Sequence, residues 1–210
     1  MLKKGFTLIE LIIVIGIIAL LATTVILVIN PVKIFKEARD SQRIADLGQT
    51  SQAISLYLAT ADITDPKTAL GPTCSANCWV HDGPSIGTDT DADGCKGGGA
   101  AARHGTTSAT KEGISKTTQT VDGNGWVPVN LAATSGGAAI AAYPKDPKKT
   151  GAGVNATYFY SYACNDSATT FELNANMESA RYAKDGSDDV ESRDGGTLDD
   201  IFEVGTALNL

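Results

Sequence analysis

The chain has 210 residues, 42% of them hydrophobic and only 6% aromatic, with a formal net charge of −7. That length suits one domain with additions, and so few aromatics allow only a modest core with long loops. The acidic balance, with no basic run beyond Lys-Lys pairs, argues against a nucleic-acid surface.

The first element is an apolar segment, "MLKKGFTLIELIIVIGIIALL" and onward. Leu11 to Ile29 is 19 residues without a charge. As a helix it spans roughly 29 Å, the thickness of a bilayer core. Lys3 and Lys4 precede it, so the positive-inside bias keeps the N-terminus cytoplasmic and the rest outside. A secretory signal peptide would have a shorter apolar region, about 7–15 residues, and a small-residue cleavage site. Here the run ends in Ile29-Asn30-Pro31. A plain signal anchor fits the length but leaves Glu10 unexplained. A carboxylate at that depth costs on the order of 2–3 kcal/mol and needs a partner.

"KKGFTLIE" resembles the prepilin signal of type IV pilins and type II secretion pseudopilins. The resemblance implies cleavage between Gly5 and Phe6 by a prepilin peptidase, and N-methylation of Phe6. Glu10 would then meet the positive amine of Phe6 on a neighbouring subunit, fixing axial register in a filament core. Loss of residues 1–5 removes two lysines and takes the net charge from −7 to −9.

Beyond Pro31, Ile44, Leu47, Ser51, Ile54, Leu58 and Ala61 recur at helical spacing, which predicts a stripe packed on a sheet. Arg39, Asp40, Arg43 and Asp46 lie on the opposite face, read either as solvated or as paired between subunits. A helix continuous from Phe6 to Ala61 would be about 80 Å long. Pro31 should bend or loosen it, and Gly16 and Gly48 are further soft positions.

Residues 62–125 read as a long irregular loop, with a flexible tract at "KGGGAAARHG". Strands are expected at Trp126–Leu131, Thr157–Ala163 and Thr169–Ala175, the last two as a hairpin. Asn176–Ala183 is a candidate extension of the sheet, and Ile201–Gly205 a final edge strand. The layout is α+β: one long helix, half transmembrane and half amphipathic, packed on a small antiparallel sheet. The divisions are a leader at 1–5, a membrane or filament-core helix at 6–30, and its amphipathic half at 31–61. The variable loop covers 62–125 and the sheet region 126–210. "YPKDPKKTG", "YFYSYA" and "TFELNANMES" also resemble, more loosely, the sheet region of G-type major pseudopilins.

Four cysteines, Cys74, Cys78, Cys95 and Cys164, all follow the apolar segment. Outside the cytoplasm an even number suggests two disulfides. Three pairings are open, with Cys74–Cys78 and Cys95–Cys164 favoured. A zinc site from Cys74, Cys78 and Cys95 with Cys164 or His81 fits that compartment less well. In "TDTDADGCKGGG", Asp89, Asp91, Asp93 and Gly94 match the first half of a calcium loop, and Cys95 would offer its carbonyl. The twelfth position is Ala100 rather than Glu. A second acidic run extends from Asp185 to Asp194. G-type pseudopilins bind calcium in their C-terminal loop, but no ligand aligns residue by residue. The other reading of the first run is a solvated acidic turn; calcium is the one cofactor these runs suggest.

His81 and His104 are the only histidines, and neither stands in a catalytic motif, so no enzyme is expected. The expected role is a structural subunit of a type IV pilus. Its partners would be copies of itself, the prepilin peptidase and an inner-membrane assembly platform. The precursor would lie in the inner membrane and the product in a surface filament. The alternatives are a pseudopilin of type II secretion and, in a different class, a monomeric membrane-anchored binding module.

Overall fold

The computed structural model describes residues 5–63, 66–74, 77–81, 112–148 and 158–210. Helix α1 runs from Leu8 to Ile29 and α2 from Pro31 to Thr60. The joint between them is Asn30, whose φ of 44° is left-handed, the conformation asparagine tolerates best after glycine. Asn30 ends α1 and at once caps α2, its Oδ1 accepting the Lys33 N–H at 3.4 Å. Pro31 then takes the first helical position, where its missing N–H costs nothing. The expected loosening at Pro31 is thus a full break with its own cap.

A short helix α3, Pro66–Ala69, leads to a five-stranded sheet. Its strands are β1 Asn77–His81, β2 Glu112–Lys116, β3 Ser161–Asn165, β4 Thr170–Ala175 and β5 Phe202–Gly205, in the spatial order β2-β1-β3-β4-β5. The α+β layout stands. The sheet is mixed rather than wholly antiparallel, because β1 and β2 pair in parallel. Parallel pairing needs a crossover of a dozen or more residues, and 82–111 supplies that length. The stretch read as irregular therefore contributes two strands and α3.

The β3–β4 hairpin and the β5 edge lie where the sequence placed them, although β3 begins later than Thr157, at Ser161. Two expected strands are absent. Trp126–Leu131 is buried as expected at Trp126, Val127, Val129 and Leu131, but its one ladder-like contact is a bridge from Asn130 to Asp122. Pro128 can donate nothing to a ladder. The segment is held by cross-links instead: Trp126 Nε1 donates to Pro144 O at 2.9 Å, and Tyr143 Oη to Val129 O at 2.9 Å. Asn176–Ala183 does not extend the sheet either. The N–H groups of Met177, Glu178 and Ser179 go to the carboxylates of Glu191 and Asp40.

Helix α2 packs across β4, β5 and the 3-10 turn Leu131–Ala133. Leu47, Ile54 and Tyr57 meet Trp79, Tyr162, Phe171 and Leu173 in one core. Leu47 and Ile54 were in the expected stripe. The rest of the buried line, Asp40, Arg43, Thr50, Ala53 and Tyr57, is rotated from it.

Candidate functional site

At the N-terminus, Thr7 and Glu10 close a capping box. The Thr7 N–H and Oγ1–H donate to Glu10 Oε2 at 3.1 and 2.9 Å, and the Glu10 N–H donates to Thr7 Oγ1 at 3.3 Å. The lone carboxylate thus has partners within its own chain: it satisfies donors that the first helical turn leaves orphaned. That signal was legible, since Thr7-Leu8-Ile9-Glu10 is the box pattern. Gly5 precedes the helix, and Phe6 is 79% exposed.

Leu8 to Val25 is long and apolar enough to cross a membrane, and none of it is buried against the rest of the chain. Large apolar side chains at Leu8, Ile9, Leu11, Ile12 and onward stand uncovered. A continuous apolar surface of that size marks a membrane or protein contact.

Further along, a polar clamp ties α2 to the sheet domain. Arg43, wholly buried, forks onto Asp146: Nε to Oδ2 at 2.8 Å and Nη2 to Oδ1 at 2.7 Å. Its Nη1 donates to Asp40 Oδ1 at 2.7 Å. Asp40 in turn accepts the N–H groups of Glu178 and Ser179 at 2.8 and 2.7 Å. Arg39 forks onto Glu178 at 2.7 and 2.8 Å, and Lys148 Nζ reaches Glu178 Oε1 at 2.9 Å. The Tyr158 ring receives both Arg43 and Lys148, at 5.0 and 4.4 Å. Burial opposes the charge on Arg43, but its bonds to Asp146 and Asp40 outweigh that and hold it ionised. The Arg39 bond, against burial and with help from Lys148, lowers the Glu178 pKa to about 2.

This corrects the reading of Arg39, Asp40, Arg43 and Asp46 as a solvated or inter-subunit face. Each has a partner in the same chain, more than 100 residues on, Asp46 accepting from the Tyr160 hydroxyl. Asp146 and Glu178 were missed. The available signal was Arg43 itself, which sits in helical register with Leu47, Thr50, Ile54 and Tyr57. A charge in a buried stripe requires a counter-charge.

The disulfide pairing is also corrected. Cys74 bonds to Cys164, 90 residues away, which replaces both Cys74–Cys78 and Cys95–Cys164 and ties the chain after α3 to the hairpin. Proximity in sequence misled here: Cys74 faces the core with Cys164, while Cys78 lies on the other face of the sheet. Cys78 is itself disulfide-bonded, which also removes the zinc reading for these three cysteines. Cys95, Asp89, Asp91 and Asp93, and with them the calcium loop, lie outside the described residues.

In the second acidic run, Asp189 accepts the N–H groups of Asp185 and Ser192, both at 3.0 Å. Together with the Ser192 hydroxyl, the leading cause, these lower its pKa to about 2. Among the described residues no three His, Cys, Asp or Glu side chains are grouped to hold a metal.

Comparison with known proteins returns one family match. Residues 1–26 match the prokaryotic N-terminal methylation motif. No curated protein and no solved structure matches the chain. The chain therefore carries, at its N-terminus, the processing signal of pilin-like and pseudopilin precursors.

Proposed function

We propose that this chain is a structural subunit of a type IV pilus filament. The precursor inserts in the inner membrane through α1. Prepilin peptidase cuts it between Gly5 and Phe6, the Phe6 amine is methylated, and the assembly platform stacks copies through α1 into a surface fibre. The role is structural rather than catalytic.

One observation carries this reading: an apolar helix uncovered by its own chain directly follows a methylation motif. Such a helix requires a second environment after it leaves the membrane, and other copies of itself provide one. Glu10 fits the same account. Cleavage beside Phe6 frees an amine, and a carboxylate in a low-dielectric helix bundle gains most from a cation brought to it. A monomeric anchor would gain nothing from Glu10 beyond the cap. A pseudopilin of type II secretion would share the same N-terminus and differ in where its fibre ends.

The test is to shear cells, image the released material and weigh its main protein. The expected result is surface filaments built of a chain that begins at Phe6 and carries one methyl group. A chain beginning at Met1, or beyond residue 25, overturns the proposal. Correctly processed protein found only in the cell envelope assigns it to a pseudopilus instead.

A further inference from the structure

On the sheet face turned away from the main core, two rows cross the strands side by side. One is Val80, Ser161, Asn174 and Glu203; the other is Cys78, Ala163, Glu172 and Gly205. They place two carboxyls on neighbouring strands, Glu172 at 0% and Glu203 at 1% exposure. Buried carboxylate oxygens require donors. Those of Glu172 have them, from Asn174 Nδ2 and the Leu210 N–H, each at 2.8 Å. Glu203 is served at one oxygen only. The Leu198 N–H donates to its Oε2 at 2.9 Å, while its buried Oε1 meets no donor among the described residues.

Glu172 and Glu203 are diagonal neighbours across β4 and β5, a separation that long side chains can close. A third carboxyl lies in the preceding turn and is engaged by the backbone: Asp194 accepts the Glu203 N–H at 2.6 Å and the Gly196 N–H at 2.8 Å. Gly196 packs so tightly on the Glu203 carboxyl that any Cβ there would overlap it. The side chains offered to this face by β1 and β3 carry no charge.

We infer that Glu203 is a neutral carboxylic acid in the folded chain, its Oε1–H donating to Glu172, and that this shared proton controls how firmly the 194–198 turn closes on the sheet. One proton supplies the missing donor and removes the repulsion between two buried carboxylates. The Glu203 pKa agrees: burial first, then the charges of Glu172 and Asp194, push it from the ordinary 4.5 to about 8.

The sign of the pH effect follows. In the unfolded chain Glu203 ionises near 4.5, while in the folded chain it keeps its proton to about 8. Between those values the folded state alone holds the proton, so stability falls as pH rises through that window and levels off above it. The seam is tight on the acid side and loosens on the alkaline side.

Full-length protein in detergent micelles tests this. Carbon NMR of the glutamate carboxyls should show a protonated Glu203 at neutral pH, titrating near pH 8, with the signal lost in Glu203→Gln. The substituted glutamine does not titrate but still offers a donor to Glu172. The wild-type melting temperature should therefore fall relative to Glu203→Gln as pH rises from 4.5 to 8, leaving the variant the more stable at alkaline pH. An ionised Glu203 at neutral pH, or parallel melting profiles, overturns the inference. So does a chelator-sensitive melt in wild type that Glu203→Gln abolishes, since that outcome puts a cation where the proton was placed. Should Glu203→Gln fail to fold, the wild-type titration still decides.

Discussion

At Glu10 a local and a long-range demand meet in one carboxylate. It caps α1 through Thr7, and it is the group proposed to receive a neighbour's amine. Glu10→Gln separates the two, because glutamine also completes a capping box but carries no charge. Membrane insertion should be kept, and slightly favoured, since a costly charge is gone. Filament yield should collapse; normal yield and length would show that charge pairing at Glu10 does not drive assembly. Arg43 presents a contrasting case, a charge whose partners are all internal. Arg43→Met leaves Asp146 and Asp40 buried without their cation, which should cost about 3–5 kcal/mol. Adding Asp146→Leu should restore part of that loss. Urea melts of wild type, single and double variants read both effects, and a near-neutral single variant would mean the clamp is not a stability element.

Among the elements, the joint at Asn30 depends on backbone as much as on side chain. Its left-handed φ suits Asn or Gly, and its Oδ1 also caps α2. Asn30→Gly keeps the conformation and loses a few tenths of a kcal/mol of capping. Asn30→Ala loses the cap, about 1 kcal/mol, and adds the strain of a left-handed alanine. Hydrogen exchange at the Lys33 amide should speed up clearly in the Ala variant and barely in the Gly variant. Equal acceleration in both would place the whole effect in the side-chain cap. The connection between β4 and β5 shows the same logic in reverse. It gains no strand partner, because α2 and Glu191 already take its N–H groups.

The whole molecule responds to acid through its clamps. Glu178 and Asp189 both titrate near 2 in the fold, below their ordinary 4.5 and 3.8. A carboxylate held low adds stability that is full above its unfolded pKa and is lost as pH falls toward the folded value. Glu178 alone should account for about 1–2 kcal/mol after allowance for solvent screening. The melting temperature should therefore drop as pH goes from 4.5 to 2, and less steeply in Glu178→Gln. An identical drop in that variant would remove Arg39–Glu178 from the account of acid sensitivity. Acid weakens this helix clamp while alkali weakens the Glu203 seam, so the two limits of stability lie on opposite sides of the sheet.

Sequence alone determined what depends on neighbours along the chain. The apolar helix, the methylation motif, the β3–β4 hairpin and the edge strand β5 all rest on residues within a few positions of one another. Periodicity and turn chemistry report such features directly. Tertiary structure decided whatever joins distant residues. No local pattern says that Asp146 and Glu178 complete Arg43 and Arg39, or that Cys74 reaches past Cys78 to Cys164. Nor does one show that β1 and β2 emerge from an apparent loop to pair in parallel. Trp126–Leu131 marks the boundary between the two. Its burial was legible, because burial follows from apolar side chains. Its pairing was not, because a ladder needs a partner strand, and here the Trp126 N–H goes to the Thr118 carbonyl and the Val129 carbonyl to a tyrosine hydroxyl.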